Sequence, residues 1–232
     1  MSGFDFLING DYTEKEVKKM QKFLSRLEWK MNRFAVRDLM KYICLMMLGV
    51  FVLDYLPLRE NASNLLYFSR ELIFQGQIWR LITFIILPPT GSLIWIIISL
   101  YFYYFIGSAL EGRWGSARFT LYYVIGIICN IAAGFITGYA TNTYLNLSLL
   151  LCFALMYPDH EFMVMFFLPI KAKWIGIADA VLLVIMFLRG GWNSRIGMVL
   201  SLLPFFLFLG KELLLQIKLV WKRLQYRIHV KR

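Results

Sequence analysis

The sequence predicts an all-α membrane protein: a six-transmembrane-helix bundle with an amphipathic helix before it and a basic helical tail after it. Two observations carry this. Hydrophobic residues make up 59% of the chain and charged residues only 17%, where soluble domains hold about a quarter charged. The charges also cluster at the two ends and in a few loops, leaving apolar runs of bilayer length between them. No linker rich in Pro, Gly or Ser interrupts the chain, so it reads as one membrane domain, residues 39–210. A cytoplasmic amphipathic segment, 1–38, precedes it, and a cytoplasmic tail, 211–232, follows.

Each element follows from local pattern. Thr13 to Arg37 reads as an amphipathic helix. Thr13 and Glu16 have capping-box spacing. Met20, Phe23, Leu24, Leu27 and Met31 share one face, and Lys15, Lys18, Lys19, Lys22 and Arg26 crowd the rest. Such a helix suits the headgroup layer of an anionic leaflet; an ordinary packed helix is the plainer alternative. Span one runs from Met40 to Pro57. A long loop, Leu58 to Gly91, ends in Pro88-Pro89-Thr90-Gly91, which cannot continue a helix. Span two is Ser92 to Leu110 and span three Arg118 to Tyr139.

Span four, Tyr144 to Tyr157, is short. At 1.5 Å per residue it covers about 21 Å, less than the roughly 30 Å of hydrocarbon. The preceding Ala140 to Thr143 must then dip into the membrane, where irregular backbone survives only if protein or trapped water satisfies it. Phe162 to Ile170 is apolar but too short to span, and is placed at an interface. Span five is Trp174 to Leu188. Span six starts near Ser194, runs through Leu209, and passes into a tail carrying Lys218, Lys222, Arg223 and Arg227.

Cations orient the bundle. One side holds the N-terminal helix, Arg113, Arg118, Lys171, Lys173 and the tail; the other holds Arg59, Arg70, Arg80, Arg189 and Arg195. The positive-inside rule makes both termini cytoplasmic, with the bundle crossing the cell membrane, expected to be bacterial. The net charge of +11 therefore reads as topology and lipid attraction, with no nucleic-acid partner. Cys44, Cys129 and Cys152 lie in apolar segments and read as small buried hydrophobes. The N-terminus has no signal-peptide pattern, so no cleavage is expected. Asn61-Ala62-Ser63 is a formal glycosylation sequon on the outer side, of little weight alone.

Three stretches carry more. Gly76-Gln77-Ile78-Trp79-Arg80-Leu81-Ile82-Thr83-Phe84 enters the long loop. Gly107-Ser108-Ala109-Leu110-Glu111-Gly112-Arg113-Trp114-Gly115 lies where span two meets span three, with Gly107, Glu111, Gly115, Phe119 and Tyr123 at every fourth residue, so that in a helical model they share a face. Phe153-Ala154-Leu155-Met156-Tyr157-Pro158 closes span four. In this order and spacing they resemble the rhomboid family of intramembrane serine proteases, over roughly Trp79 to Leu209. Gly126, Asn130, Gly134 and Gly138 add a small-residue ridge on span three, matched by Gly197 and Ser201 on span six.

The resemblance implies a serine on span four, in a Gly-x-Ser-Gly motif, and a histidine base on span six. An alcohol nucleophile needs such a base and donors for its oxyanion. Counted from Tyr157-Pro158, the motif falls on Thr141-Asn142-Thr143-Tyr144, so Thr143 takes the serine's place. Ser194-Arg195-Ile196-Gly197 puts Arg195 in the histidine's place, and arginine stays protonated. Trp95 and Ser99 take the oxyanion positions. The chain's two histidines, His160 and His229, both fall in predicted cytoplasmic regions. Asp159-His160-Glu161 lacks metal-protease spacing and reads as a solvated turn.

Asp179 is the exception inside the spans. It lies about 9 Å into span five from Lys173. A buried carboxylate there calls for a partner or a proton, and Asn130 and Ser201 are the candidates for a polar clamp. The sequence thus reads as a rhomboid-like pseudoprotease. Its partners are the bilayer and transmembrane client proteins, no cofactor or metal is expected, and Thr143, Arg195, Trp95 and Ser99 line a remnant cavity. Two alternatives stand beside it: an atypical protease using Ser148 or Thr143, and a small transporter.

Overall fold

The structure is a computed structural model that describes residues 19, 22, 24–56, 61–89, 92–164 and 168–210. The Thr13–Glu16 capping box, Pro57 to Glu60, Thr90-Gly91 and the tail 211–232 lie outside the described residues. What is described is mostly helical. Helical residues 24–31 (α1) lead to α2 (Leu39–Tyr55), then three short helices, α3 (Ala62–Leu66), α4 (Arg70–Phe74) and α5 (Arg80–Thr83), and a 3-10 turn at Phe84–Ile86. Then come α6 (Leu93–Trp114), α7 (Ser116–Thr137), α8 (Thr143–Met156), the strands β1 (Glu161–Val164) and β2 (Leu168–Lys171), α9 (Ala172–Arg189) and α10 (Trp192–Gly210). Among the described residues, three helices are long and apolar enough to cross a membrane: α6, α7 and α10.

The N-terminal helix stops at Met31, six residues before the Arg37 predicted from its periodicity. Its continuation is tied down by tertiary contacts that a helix could not make. The Val36 N–H reaches Thr120 Oγ1 at 3.3 Å, and the Asp38 N–H donates to Glu111 Oε1 at 2.9 Å. Asp38 itself takes a left-handed conformation, φ 55°, which turns the chain into α2. On the helical part, Leu24 is buried and Leu27 and Met31 pack against the protein core, while Glu28 pairs with Arg118 at 3.3 Å. Along these residues the apolar face covers protein, as the plainer reading had it.

Glycine sets the two sharpest junctions. Gly115, at φ 84°, ends α6 and begins α7, a backbone state that costs other residues energy. Gly107 and Glu111 therefore lie on one helix and Phe119 and Tyr123 on the next. The single-face reading of that series is wrong, because the helix it assumed breaks in the middle. Gly138, at φ 95°, closes α7 with its N–H on the Gly134 carbonyl at 2.8 Å.

Residues 140–142 cross from α7 to α8 as irregular backbone. The buried Asn142 amide donates to the carbonyls of Ile85 and Leu87 at 2.8 and 2.9 Å. It thereby satisfies acceptors that apolar surroundings would leave bare.

The Phe162 to Ile170 segment is a departure from the all-α expectation. Its two ends form antiparallel strands, pairing Glu161 with Lys171 and Phe162 with Ile170. A run this short carries no period that distinguishes strand from helix. Phe162 is buried in an aromatic cluster with Phe102, Phe105 and Phe153. The turn before it is exposed, as anticipated for Asp159-His160-Glu161. Lys173 donates to Asp159 at 3.0 Å, and this bond holds the carboxyl below its ordinary pKa.

The core gathers Met40, Met47, Phe84, Leu110, Phe119, Tyr122, Leu145, Leu149 and Phe153 where α2, α6, α7 and α8 meet. α9 packs on α8 through Gly176, whose hydrogen side faces the Ala154 methyl in a contact that leaves no room for a side chain.

Candidate functional site

Two cavities hold four of the residues singled out by sequence: Trp95 and Ser99 in one, Asn130 and Gly197 in the other. The larger, about 340 Å³, is walled by Trp95, Ile98, Ser99, Phe102, Tyr103 and Ile106 of α6, by Asn146 to Leu150 of α8 except Ser148, and by Ile175 of α9. It exists because α6 packs on α2, α7 and α8 while α9 packs on α8 and β2. The seam between α6 and α9 is left to this space. Its walls are almost wholly apolar. Trp95 is 61% exposed on its outer rim. Asn146 is only 3% exposed and its side chain meets the Tyr103 hydroxyl, yet its Oδ1 has no hydrogen-bond partner.

Asp179 lies one helical turn beyond Ile175 on α9, on the buried face with Ala172, Gly176 and Leu183. It is 6% exposed, and neither carboxylate oxygen has a hydrogen-bond partner. It stands one turn from the lining residue Ile175 and is not itself part of the cavity wall. The clamp expected with Asn130 and Ser201 is not formed. Those two bond each other at 2.8 Å, because α10 packs its Ser201 face onto α7 and keeps both from α9.

The second cavity, about 10 Å³, has room for about one water. Asn130, Thr137, Tyr139, Thr141, Tyr144, Gly197 and Ser201 are among its walls. Asn130 also donates to the Gly126 carbonyl at 2.9 Å. Above it, the hydroxyls of Tyr139 and Ser194 lie 3.1 Å apart.

Thr143 and Arg195 line neither cavity, contrary to expectation. Thr143 is exposed at the start of α8, its hydroxyl 2.9 Å from that of Thr141. Arg195 reaches back to the end of α9. Its Nε and Nη2 donate to the Phe187 and Leu188 carbonyls at 2.9 and 3.1 Å, and its guanidinium lies near the rings of Phe187 and Trp192. Those carbonyls are the unpaired last acceptors of a helix, which a cation suits. Trp95 and Ser99 do share a cavity, the larger one.

The remaining motif residues are structural. Arg80 is buried and donates to Gln77 Oε1 at 2.7 Å, the Tyr67 carbonyl at 2.8 Å and the Asn64 carbonyl at 3.1 Å. Trp79 donates its indole N–H to the Leu65 carbonyl at 3.2 Å. Glu111 takes the Asp38 N–H on Oε1 and, on the same oxygen, the Ser116 hydroxyl at 2.5 Å. Gly107 faces Met40 and Gly134 faces Phe68, each so closely that an added Cβ would sit 2.5 Å from a side-chain carbon. Gly197 has open space where its Cβ would be, so its ridge role is not one of close contact.

Asn146 escaped the sequence reading. The signal was present, since an amide inside an apolar span invites a functional explanation. The sequence reading instead followed Asp179, a carboxyl inside a span.

No family model matches the chain, and no curated protein matches it.

Proposed function

We propose that the chain is a rhomboid-like six-span membrane protein without protease activity, which holds transmembrane segments of other membrane proteins at the α6–α9 seam. The observation that carries this reading is the engagement of Arg195. At the position matched to the base stands a guanidinium, which has donors and no acceptor, bound to the Phe187 and Leu188 carbonyls. Thr143, at the matched nucleophile position, has another threonine hydroxyl for a partner, not a base.

Ser148 supports the same reading from the other side. It is fully buried, with its hydroxyl 2.7 Å from that of Tyr122 and 2.6 Å from the Leu145 carbonyl. A hydroxyl so enclosed meets neither base nor substrate. His160 follows the C-terminal end of α8, whereas Thr143 begins that helix; His229 lies outside the described residues.

Six described helices of 14 residues or more fit the six-span plan, with α2, α8 and α9 as the spans beside α6, α7 and α10. The 14-residue α8 covers about 21 Å, and the Asn142 amide ties the irregular backbone before it to the Ile85 and Leu87 carbonyls. Both termini are then cytoplasmic by the distribution of Lys and Arg.

The reading is tested in two arms. The purified protein is incubated with rhomboid substrates and a fluorophosphonate probe; cleavage or labelling that vanishes in Thr143→Ala or Ser148→Ala refutes it. Photo-crosslinkers at Ile97 and Val184, both exposed along the seam, are expected to capture membrane proteins in cells. One at Gly134, inside the bundle, is not. Equal capture at all three positions speaks against docking at the seam.

A further inference from the structure

We infer that the α6–α9 pocket selects membrane helices that carry a single basic side chain within their span, received by the acceptor pair Asn146 and Asp179. This rests on the client-holding reading and names its client.

The argument starts from what the pocket lacks. Asn146 Oδ1, Asp179 Oδ1 and Asp179 Oδ2 are three acceptor atoms, buried and without a donor. Asn146 lines the pocket, and Asp179 stands one turn from the lining residue Ile175 on the same helix face. Leaving such atoms bare in apolar surroundings is unfavourable, far more so for a carboxylate than for an amide. Native structures pair nearly all their buried polar atoms, so unpaired acceptors on a cavity's wall and one helical turn from it have the form of a half-built site.

The complement of three acceptors is a donor, and the complement of a carboxylate is a cation. Lysine supplies three N–H donors on a compact head and arginine five in a fork. Neither is stable facing lipid, so each gains from a paired, water-poor position. The pocket suits the rest of such a residue. Its 340 Å³ volume and its Trp95, Ile98, Phe102, Leu147 and Leu150 walls take an aliphatic stem.

Depth agrees too. Asp179 is seven residues into α9, about 10 Å along the axis at 1.5 Å per residue. That is a span's interior, where a client's basic residue has no headgroup to reach. The outer faces flanking the pocket, Ile94, Ile97 and Tyr101 on α6 and Ile177, Val181 and Val184 on α9, are apolar and exposed. They offer the client helix contact on both sides of the inserted side chain.

The test uses the full chain in phosphatidylcholine vesicles with a photo-crosslinker at Ile97. The probe is a biotinylated leucine–alanine transmembrane peptide with lysine at its centre. Control peptides carry leucine or glutamate there. The expected result is capture of the lysine peptide at least about tenfold above both controls, which corresponds to about 1.4 kcal/mol. Asp179→Asn, nearly isosteric, is expected to abolish most of that preference, and Asn146→Leu to reduce it. A cooperative melt in detergent at or above the wild-type temperature verifies that each variant is folded.

Strong and equal capture of the lysine and leucine peptides overturns the inference while leaving client binding at the seam intact. Capture of neither peptide overturns both. An undiminished preference in Asp179→Asn shows that the carboxyl merely carries a proton and also overturns the inference. Crosslinking to lipid alone, unaffected by the lysine peptide, assigns the pocket to an acyl chain and does the same.

Discussion

The Ser201 hydroxyl lies 2.8 Å from Asn130 Oδ1 on α7 and 2.7 Å from the Gly197 carbonyl one turn back on its own helix. One proton is thus shared between a partner helix and a fallback acceptor. Asn130→Leu removes the first and leaves the second. The expected loss is therefore small, about 0.6 kcal/mol and no more than about 1.7 kcal/mol, the range of interhelical bonds in membranes. Thermal unfolding in detergent measures it.

Asp179→Leu has the opposite expected sign. Were the carboxylate clamped by Asn130 or Ser201, its loss would strand a partner and destabilise. With no partner to strand, replacing it by an apolar side chain removes a desolvation cost and is expected to raise the melting temperature. A fall in melting temperature comparable with that of a core cavity variant would contradict the unpaired state of Asp179.

Arg80→Lys tests the loop that precedes α6. The guanidinium serves Gln77, Tyr67 and Asn64 at once and lies 4.6 Å from the centre of the Tyr67 ring. A lysine head has no planar fork and cannot reproduce that set. The expected cost is about 1–3 kcal/mol for acceptors left bare. Limited proteolysis between Tyr67 and Arg80 should become faster.

Two glycine substitutions separate contact from pattern. Gly134→Ala pushes a methyl against the buried Phe68 ring and is expected to cost about 1–3 kcal/mol. Gly197→Ala meets nothing within 4 Å and stands in a helix, so it is expected to be neutral or to stabilise by up to about 1 kcal/mol. Paired melting curves decide the point.

Arg195→His is expected to create no hydrolase, since it would restore one ring without a serine and while Thr143 stands apart from both cavities. Its measurable effect is on the end of α9, whose Phe187 and Leu188 carbonyls lose their donors. Fluorophosphonate labelling is expected to stay at background, and amide exchange around Leu188 to accelerate.

Much of this was legible in the residues. Long apolar runs bounded by charge and by Pro or Gly located α2 and α6 to α10 to within a few positions, while the short α3, α4 and α5 fell in what reads as loop. Those signals are local, and local physics governs helix limits. Pairing between helices is another matter. Asp179 was assigned Asn130 and Ser201 because all three are polar and intramembrane by prediction, but which faces meet depends on packing that no single helix encodes. The same gap explains the Gly115 break. A four-residue spacing describes a face only if the helix continues, and the positive φ that stops it follows from how α7 must return along α6. The strand pair was missed because four-residue strands leave no periodicity to count.

The Glu111 carboxylate joins Asp38 to a residue 73 positions later. A ribosome adds about 5–20 residues each second. The N-terminal segment therefore emerges some 4–15 s, roughly, before its acceptor exists. Until then Leu24, Leu27 and Met31 have no bundle to cover, and an apolar stripe flanked by lysines is what anionic headgroups attract. The cover that this face finds on the core therefore waits on the turn at Gly115, where α7 begins.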